Sequence, residues 1–385
     1  MKIFITIFIL LAIIFILLVI VKLLWVFCKT FKQKNFKKEE KEVIQRARYL
    51  ISKVAVSSKQ LIDEMPKWVP SQFQGEWAIY SCSMTCKALA NISKLYPKYK
   101  DKCVKQISNI IDVALSKEIR KYDCERWNED PLDGINGHLS HLSYYSHLAW
   151  MISEYKSICE DDKYDQLYHS LCKAMNDRII ESPSLNIETY PGESIYVPDM
   201  LVAIVALSNY SQQYNNKYKD IVKKWLYKAK TEWIDHRTGL LFSFLTKSGS
   251  SMPIIRGSYS SLNCYYLSLI DYKFAKQQYK CLKTSFRQNY PFTGIKEYND
   301  RKCLFGFDID AGPILFNLSP SGTAFAIGCA TMHNDYKFRK QLLRTAEIAG
   351  HSITWKNKTH YLLANYFLVG EAISLAMRTS KNQGE

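Results

Sequence analysis

Lys98-Tyr99, Lys163-Tyr164, Lys217-Tyr218, Lys273-Phe274 and Lys337-Phe338 are copies of one connector, recurring at intervals of 65, 54, 56 and 64 residues. Each separates a stretch rich in small and aromatic residues from a more polar, helix-favouring stretch. A unit with that period is a pair of helices, and such units stack because none buries its apolar face alone.

The two members of each pair differ in pattern. Segments before a connector, such as 202–207 and 323–330, are apolar nearly all round, as helices buried on two sides should be. Segments after it, such as 222–230 and 338–344, carry one apolar stripe and a charged face, as an outer layer should. Periodicity predicts helices over 39–65, 76–95, 99–120, 138–158, 164–180, 199–214, 218–233, 258–270, 274–287, 321–333, 338–349 and 361–377. Five inner-to-outer pairs use ten of them. The last helix as an inner member and the first as its outer partner complete a sixth pair, which predicts a closed all-α domain, an (α/α)6 toroid over 39–378, rather than an open superhelical stack.

Ahead of this domain, residues 3–21 contain Thr6 as their single polar member. At about 1.5 Å per residue they cross most of a bilayer's hydrocarbon. Residues 1–28 are therefore expected to form a single-pass transmembrane anchor, with Trp25 at the interface and 29–38 as a basic linker. The apolar run is longer than that of a signal peptide, and no small-x-small cleavage site follows it. Lys29, Lys32, Lys34, Lys37 and Lys38 outnumber the charges before the span, which favours a cytoplasmic over an extracytoplasmic domain. Eleven cysteines without a CxxC pair agree with a reducing compartment. The formal net charge of +16 is read as attraction to membrane lipids through the anchor and its basic flank. No nucleic-acid-binding motif accompanies it, no metal-ligand spacing or cofactor motif is found, and 379–385 reads as a disordered tail.

The inner-to-outer connectors are short, whereas the outer-to-inner ones, 121–137, 181–198, 234–257, 288–320 and 350–360, are long and rich in Gly, Pro and ionisable groups. In a ring of hairpins the long connectors share one face, so they converge on a mouth. Four clusters lie on them. Tyr190 to Asp199 brings Glu193 near Asp199, although Asp199 after Pro198 also suits a helix N-cap. Asp308-Ile-Asp310 places two carboxylates on an otherwise apolar loop, a costly arrangement unless they are paired or functional. Trp127 precedes His138 and His141, which the predicted helix 138–158 would place on one face together with the nearby Tyr144. Arg256, just before Tyr259, is a candidate clamp for an anionic substrate group, while Asp235 to Gly239 also suits a plain turn. Paired carboxylates among aromatic platforms suit sugars: rings stack on apolar sugar faces, one acid protonates a leaving oxygen and another serves as base or nucleophile. Asp199 and Asp310 are the expected acid and base, with Glu193 in support. His138, His141, Tyr144, Tyr190, Trp127, Arg256, Tyr259 and Asp308 are the expected substrate-binding residues.

The hairpin repeat, the Asp235-x-x-Thr-Gly239-Leu segment and Arg256-Gly257-Ser258 together make the chain resemble the six-hairpin toroid superfamily over residues 39–377. That superfamily includes glycoside hydrolases and unsaturated-glucuronyl hydrolases. Gly137-His138-Leu-x-His141-Leu-x-Tyr144, followed by Asp162-Lys-Tyr164, is also similar to the linalool dehydratase-isomerase-like proteins of the same ring, but 193–201 lacks the cysteines on which that activity relies in part. These resemblances imply a membrane-anchored carbohydrate-active enzyme, hydrolase or lyase, acting on a surface glycan or its precursor. The alternatives are a lyase or isomerase of a small lipid or terpenoid alcohol, and a non-catalytic glycan-binding or scaffold protein.

Overall fold

A computed structural model describes residues 2–31 and 36–381. In chain order, its helices begin with α1 (Lys2–Phe31), α2 (Phe36–Val54), α3 (Ser58–Asp63), α4 (Ser71–Leu95), α5 (Lys100–Ala114), α6 (Lys117–Trp127), α7 (Leu142–Lys156) and α8 (Asp165–Glu181). They continue with α9 (Val197–Gln213), α10 (Lys219–Thr231), α11 (Gly257–Ile270), α12 (Tyr272–Phe286), α13 (Pro320–Met332), α14 (Tyr336–Gly350) and α15 (Leu368–Arg378).

Helices α4, α7, α9, α11, α13 and α15 each touch the next, and α15 returns to α4, so the inner ring is closed. The outer layer is α2, α5, α8, α10, α12 and α14, with α2 packed against α15 and α4. This is the (α/α)6 toroid, and the first and last helices pair as the repeat requires. Close packing of the ring depends on small residues. A Cβ at Gly328 of α13 would lie 2.5 Å from the Met377 sulfur of α15 and 3.1 Å from the Tyr265 ring of α11. Closure is also fixed by buried charge: Arg46 of α2 meets Glu371 of α15 at 2.6 Å, and Arg339 of α14 donates two 2.8 Å bonds to Glu39 of α2. Such pairs specify one register, because removing either partner leaves an uncompensated buried charge.

The connectors work as the sequence suggests. Tyr164, Tyr218, Phe274 and Phe338 are buried beneath the outer helices that they begin. Lys98, Lys163 and Lys217 lie over the rings of Tyr99, Tyr164 and Tyr218 at 5.3, 4.7 and 5.5 Å.

Several boundaries differ from the periodicity. The predicted helix 39–65 is broken at 55–57, where Ser57 and Gln60 form a capping box that starts α3. The predicted helix 99–120 breaks at Ser116, whose extended backbone redirects the chain into α6. The predicted helix 138–158 begins only at Leu142, because His141 adopts a left-handed conformation (φ 47°) ahead of the first turn. His138 and His141 therefore do not share a helix face. The last helix begins at Leu368 rather than near 361, since 358–361 belongs to a hairpin.

Each remaining long connector contains short antiparallel strands: β1 (Ile195–Tyr196) pairs with β2 (Phe244–Leu245), and β3 (Arg287–Gln288) with β4 (Gly294–Ile295). β5 (Phe305–Asp308) pairs with β6 (Gly312–Leu315), and β7 (Ser352–Trp355) with β8 (Lys358–Tyr361).

Helix α1 contains a 25-residue apolar stretch, Phe4–Cys28, long enough to cross a membrane, a property that it shares with signal sequences. Its C-terminal turns pack on α14: Val26 is buried, Trp25 stacks on His351 at 5.4 Å, and Arg344 lies 4.9 Å above the Phe27 ring. Most of the expected basic linker lies outside the described residues or in segments without described side chains. Thr379 and Ser380, expected in a disordered tail, are buried and bonded to carbonyls of α15, and 382–385 lies outside the described residues.

Candidate active site

Where the inner helices begin, the long connectors enclose a cavity of about 670 Å³. Its polar groups come from separate elements. Glu76 and Tyr80 project from successive turns of α4. Asp199 and Tyr259 sit in the first turns of α9 and α11, and Asp310 lies in the turn of the β5–β6 hairpin. Glu193, Tyr190 and Arg126 complete the wall on one side, with Phe73, Trp77 and Tyr196 between them.

Asp199 is not an N-cap. Tyr196 holds that position without a capping side chain, and Asp199 accepts a 2.8 Å hydrogen bond from Thr189. Burial raises its pKa to about 7, the negative charges of Asp310 and Glu193 act in the same direction, and the Thr189 bond opposes them. Glu76 is raised to about 8, first by burial and then by Asp310 and Asp199, against the opposing influence of Tyr190 and Arg126. Asp310 is also raised by burial, against a 2.7 Å hydrogen bond donated by Tyr259 and the Arg256 guanidinium 3.6 Å away. Three carboxyl groups thus face one hollow, each with a pKa raised above the ordinary carboxylate value. Burial also keeps the Tyr80, Tyr190 and Tyr259 phenols protonated, leaving them as hydrogen-bond donors.

Arg256 is engaged within the protein rather than extended toward the cavity. It pairs with Glu297 at 2.6 Å and with Asp308 at 2.5 Å, and it crosses the Tyr259 ring at 4.8 Å. Glu297 is fully buried and also accepts from the backbone and hydroxyl of Ser258. This cluster ties the β5–β6 hairpin to the start of α11 and so places Asp310. Burial would raise Asp308, but Arg256 and the backbone N–H groups of Ala311 and Asp310 outweigh it, and its pKa falls below the ordinary value. Opposite, Arg126 pairs with Glu193 at 2.9 Å and covers the Tyr190 ring at 3.7 Å.

Of the residues expected at the mouth, Glu193, Asp199, Asp310, Tyr190 and Tyr259 line this cavity, and Arg256 and Asp308 stand directly behind it. His138 is exposed on the loop before α7, and Tyr144 is buried with its hydroxyl bonded to the Ala114 carbonyl. His141 is buried between Asp123 (2.5 Å) and Glu129 (3.1 Å), and the Trp127 ring packs 5.5 Å from it. These four residues do not line the cavity. Glu76 escaped the sequence reading although it is the one carboxylate of α4, a helix otherwise composed of apolar, small and uncharged polar residues and two lysines. Among the described residues no three His, Cys, Asp or Glu side chains are grouped as a metal site.

A six-hairpin toroid with acids gathered at the starts of its inner helices is the architectural class that fold and cavity define. Two solved structures share the fold. One is a family 105 glycoside hydrolase from C. acetobutylicum, with TM-score 0.54, 11% identity, and coverage of 77% of this chain and 92% of that one. The other is an unsaturated glucuronyl hydrolase specific for heparin, with TM-score 0.51, 11% identity, and coverage of 78% and 84%. At that identity the likeness is one of fold. No protein-family model matches the sequence, and neither does a curated protein.

Proposed function

We propose that the chain is a carbohydrate-active enzyme working by acid/base catalysis, tethered to a membrane by α1. The convergence of Glu76, Asp199 and Asp310 in one aromatic-lined cavity carries this reading. Asp310 is the base: the Tyr259 hydroxyl and Arg256 favour its ionised form. Asp199, held near 7, retains enough proton near neutrality to act as the acid. Glu76, with its pKa raised to about 8, keeps its proton at pH 7 and serves as a hydrogen-bond donor to substrate. Phe73, Trp77, Tyr80 and Tyr196 line the cavity and supply aromatic faces for sugar rings. That two proteins of the same fold are a glycoside hydrolase and a glucuronyl hydrolase supports the substrate class.

The test uses the full-length protein and a panel of neutral and uronic-acid-containing oligosaccharides, with cleavage or hydration products followed by mass spectrometry. Turnover of at least one sugar is expected, falling about 100-fold or more in Asp310→Asn and Asp199→Asn, with both variants folded by circular dichroism. Equal turnover in both variants would overturn the assignment.

A further inference from the structure

Glu76, Asp199 and Asp310 reach the cavity from α4, α9 and the β5–β6 hairpin. Helices α13, α14 and α15 give it a mostly apolar wall, here called the arm, with Phe325, Ile327, Ile348 and Ile373 on these helices and Phe292 and Phe367 beside them. Several of the arm's polar groups are spent within the protein, although the buried Ser321 and Ser374 hydroxyls have no protein partner. Thr345 donates to the Thr293 carbonyl, Thr323 accepts from the Ile295 N–H, and Glu371 is paired with Arg46. Such a wall offers the hydroxyls of a sugar few partners, whereas a hydrocarbon chain gains about 0.8 kcal/mol for each methylene taken from water. Leu315, Phe316 and Leu363 line the arm and are also exposed, so the arm opens on the rim.

The direction of α1 shows what the rim faces. Helix α14 runs toward the mouth and ends at Gly350. Lys22 of α1 meets His351 at 2.7 Å just beyond that end, whereas Phe27 lies deeper, beside Arg344. The two helices are therefore antiparallel, and the exposed stretch Phe4–Val21 projects past the rim. Its length, about 27 Å at 1.5 Å per residue, matches a bilayer's hydrocarbon of about 30 Å. With that stretch in a membrane, Lys22 and Trp25 lie at the interface, level with the rim. The rim itself exposes Phe305, Phe307, Trp355 and Leu362 from the β5–β6 hairpin and from around β7–β8.

We propose that the substrate is a lipid-linked sugar: its glycan sits at Glu76, Asp199 and Asp310, its hydrocarbon chain lies in the apolar arm, and the toroid's mouth rests on the membrane that supplies it. This rests on the carbohydrate reading above.

The test places full-length protein in nanodiscs of phosphatidylcholine and phosphatidylglycerol. Four probes carry a diazirine at the chain end: dodecyl β-glucoside, dodecyl β-galactoside, dodecyl β-glucuronide and, without a sugar, dodecanol. After irradiation, labelled peptides are mapped. At least one glycoside should label 318–327, 345–349 and 363–374 about tenfold more than dodecanol does. Ala349→Trp, at an exposed lining position, and Ala346→Leu should each lower that labelling about tenfold while labelling of α1 persists. Labelling restricted to α1 and the rim, or unchanged in both variants, would overturn the proposal and leave the carbohydrate reading to its own oligosaccharide assay. Equal labelling of the arm by dodecanol would also overturn the proposal, since the sugar would then contribute nothing to recognition, while the oligosaccharide assay would still decide the carbohydrate reading.

Discussion

Tyr259 donates a 2.7 Å hydrogen bond to Asp310, from the first turn of an inner helix to the turn of a hairpin. The bond favours the ionised carboxylate, which the proposed base must be. Tyr259→Phe should therefore raise the pKa of Asp310 further, and the acid limb of the kcat/KM profile should move to higher pH. The variant should lose most activity at pH 5 and less at pH 7, as a pH series would show; a uniform loss would instead point to stacking alone.

Asp199 lies near pH 7 partly because Glu193 is negative. As the acid it must hold its proton, so activity should fall above about pH 7. Glu193→Gln removes a like charge, lowers the Asp199 pKa and should move this basic limb toward lower pH, again by kcat/KM. A limb that stays in place would assign the proton to another group.

The raised pKa of Glu76 couples stability to pH. Both folded and unfolded forms hold the proton below the ordinary glutamate value of about 4.3. Between there and about 8 only the folded form retains it, so the stability present at low pH is lost as pH rises through that window. Glu76→Gln has no such dependence. Relative to wild type it should gain stability from pH 4.5 to pH 8, by an amount on the order of a few kcal/mol, in denaturant titrations at both pH values. An equal difference at the two pH values would contradict the shift.

Arg256 neutralises Glu297 at 2.6 Å in a site without solvent access to that carboxylate. Arg256→Ala leaves the buried charge uncompensated and should cost about 3–5 kcal/mol, measured by chemical denaturation. Adding Glu297→Gln should recover a large part of that loss. If the double variant were as unstable as the single one, the arginine would act through the hairpin alone.

The ring was legible because its signal is repeated. A lysine and a buried aromatic start most outer helices, and the apolar-all-round pattern of 202–207 and 323–330 distinguishes the inner layer. Asp199, Asp310, Glu193, Tyr190 and Tyr259 were accessible for the related reason that loops of one kind share a face. Glu76 was not, because it sits inside a helix and faces the cavity only through the curvature of the ring, which periodicity does not encode. The two histidines are separated for a local reason: His141 takes a left-handed backbone, so the helix expected from 138 starts four residues later, at Leu142, and includes neither of them. Arg256 has the composition of a substrate clamp, but its partner Glu297 lies 41 residues away in sequence. The Ser57–Gln60 capping box interrupts the first predicted helix within a stretch whose apolar spacing continues on both sides.

The account depends on Asp199 and Asp310 sharing one electrostatic environment, and this can be measured without a substrate. Carbon-13 NMR of aspartate-labelled protein gives the Asp199 titration in wild type and in Asp310→Asn. The structure predicts a midpoint near 7 in the wild type that falls clearly once the neighbouring charge is removed. An Asp199 midpoint unchanged by the substitution would show that the two carboxylates do not act together, and would contradict the proposed catalytic centre.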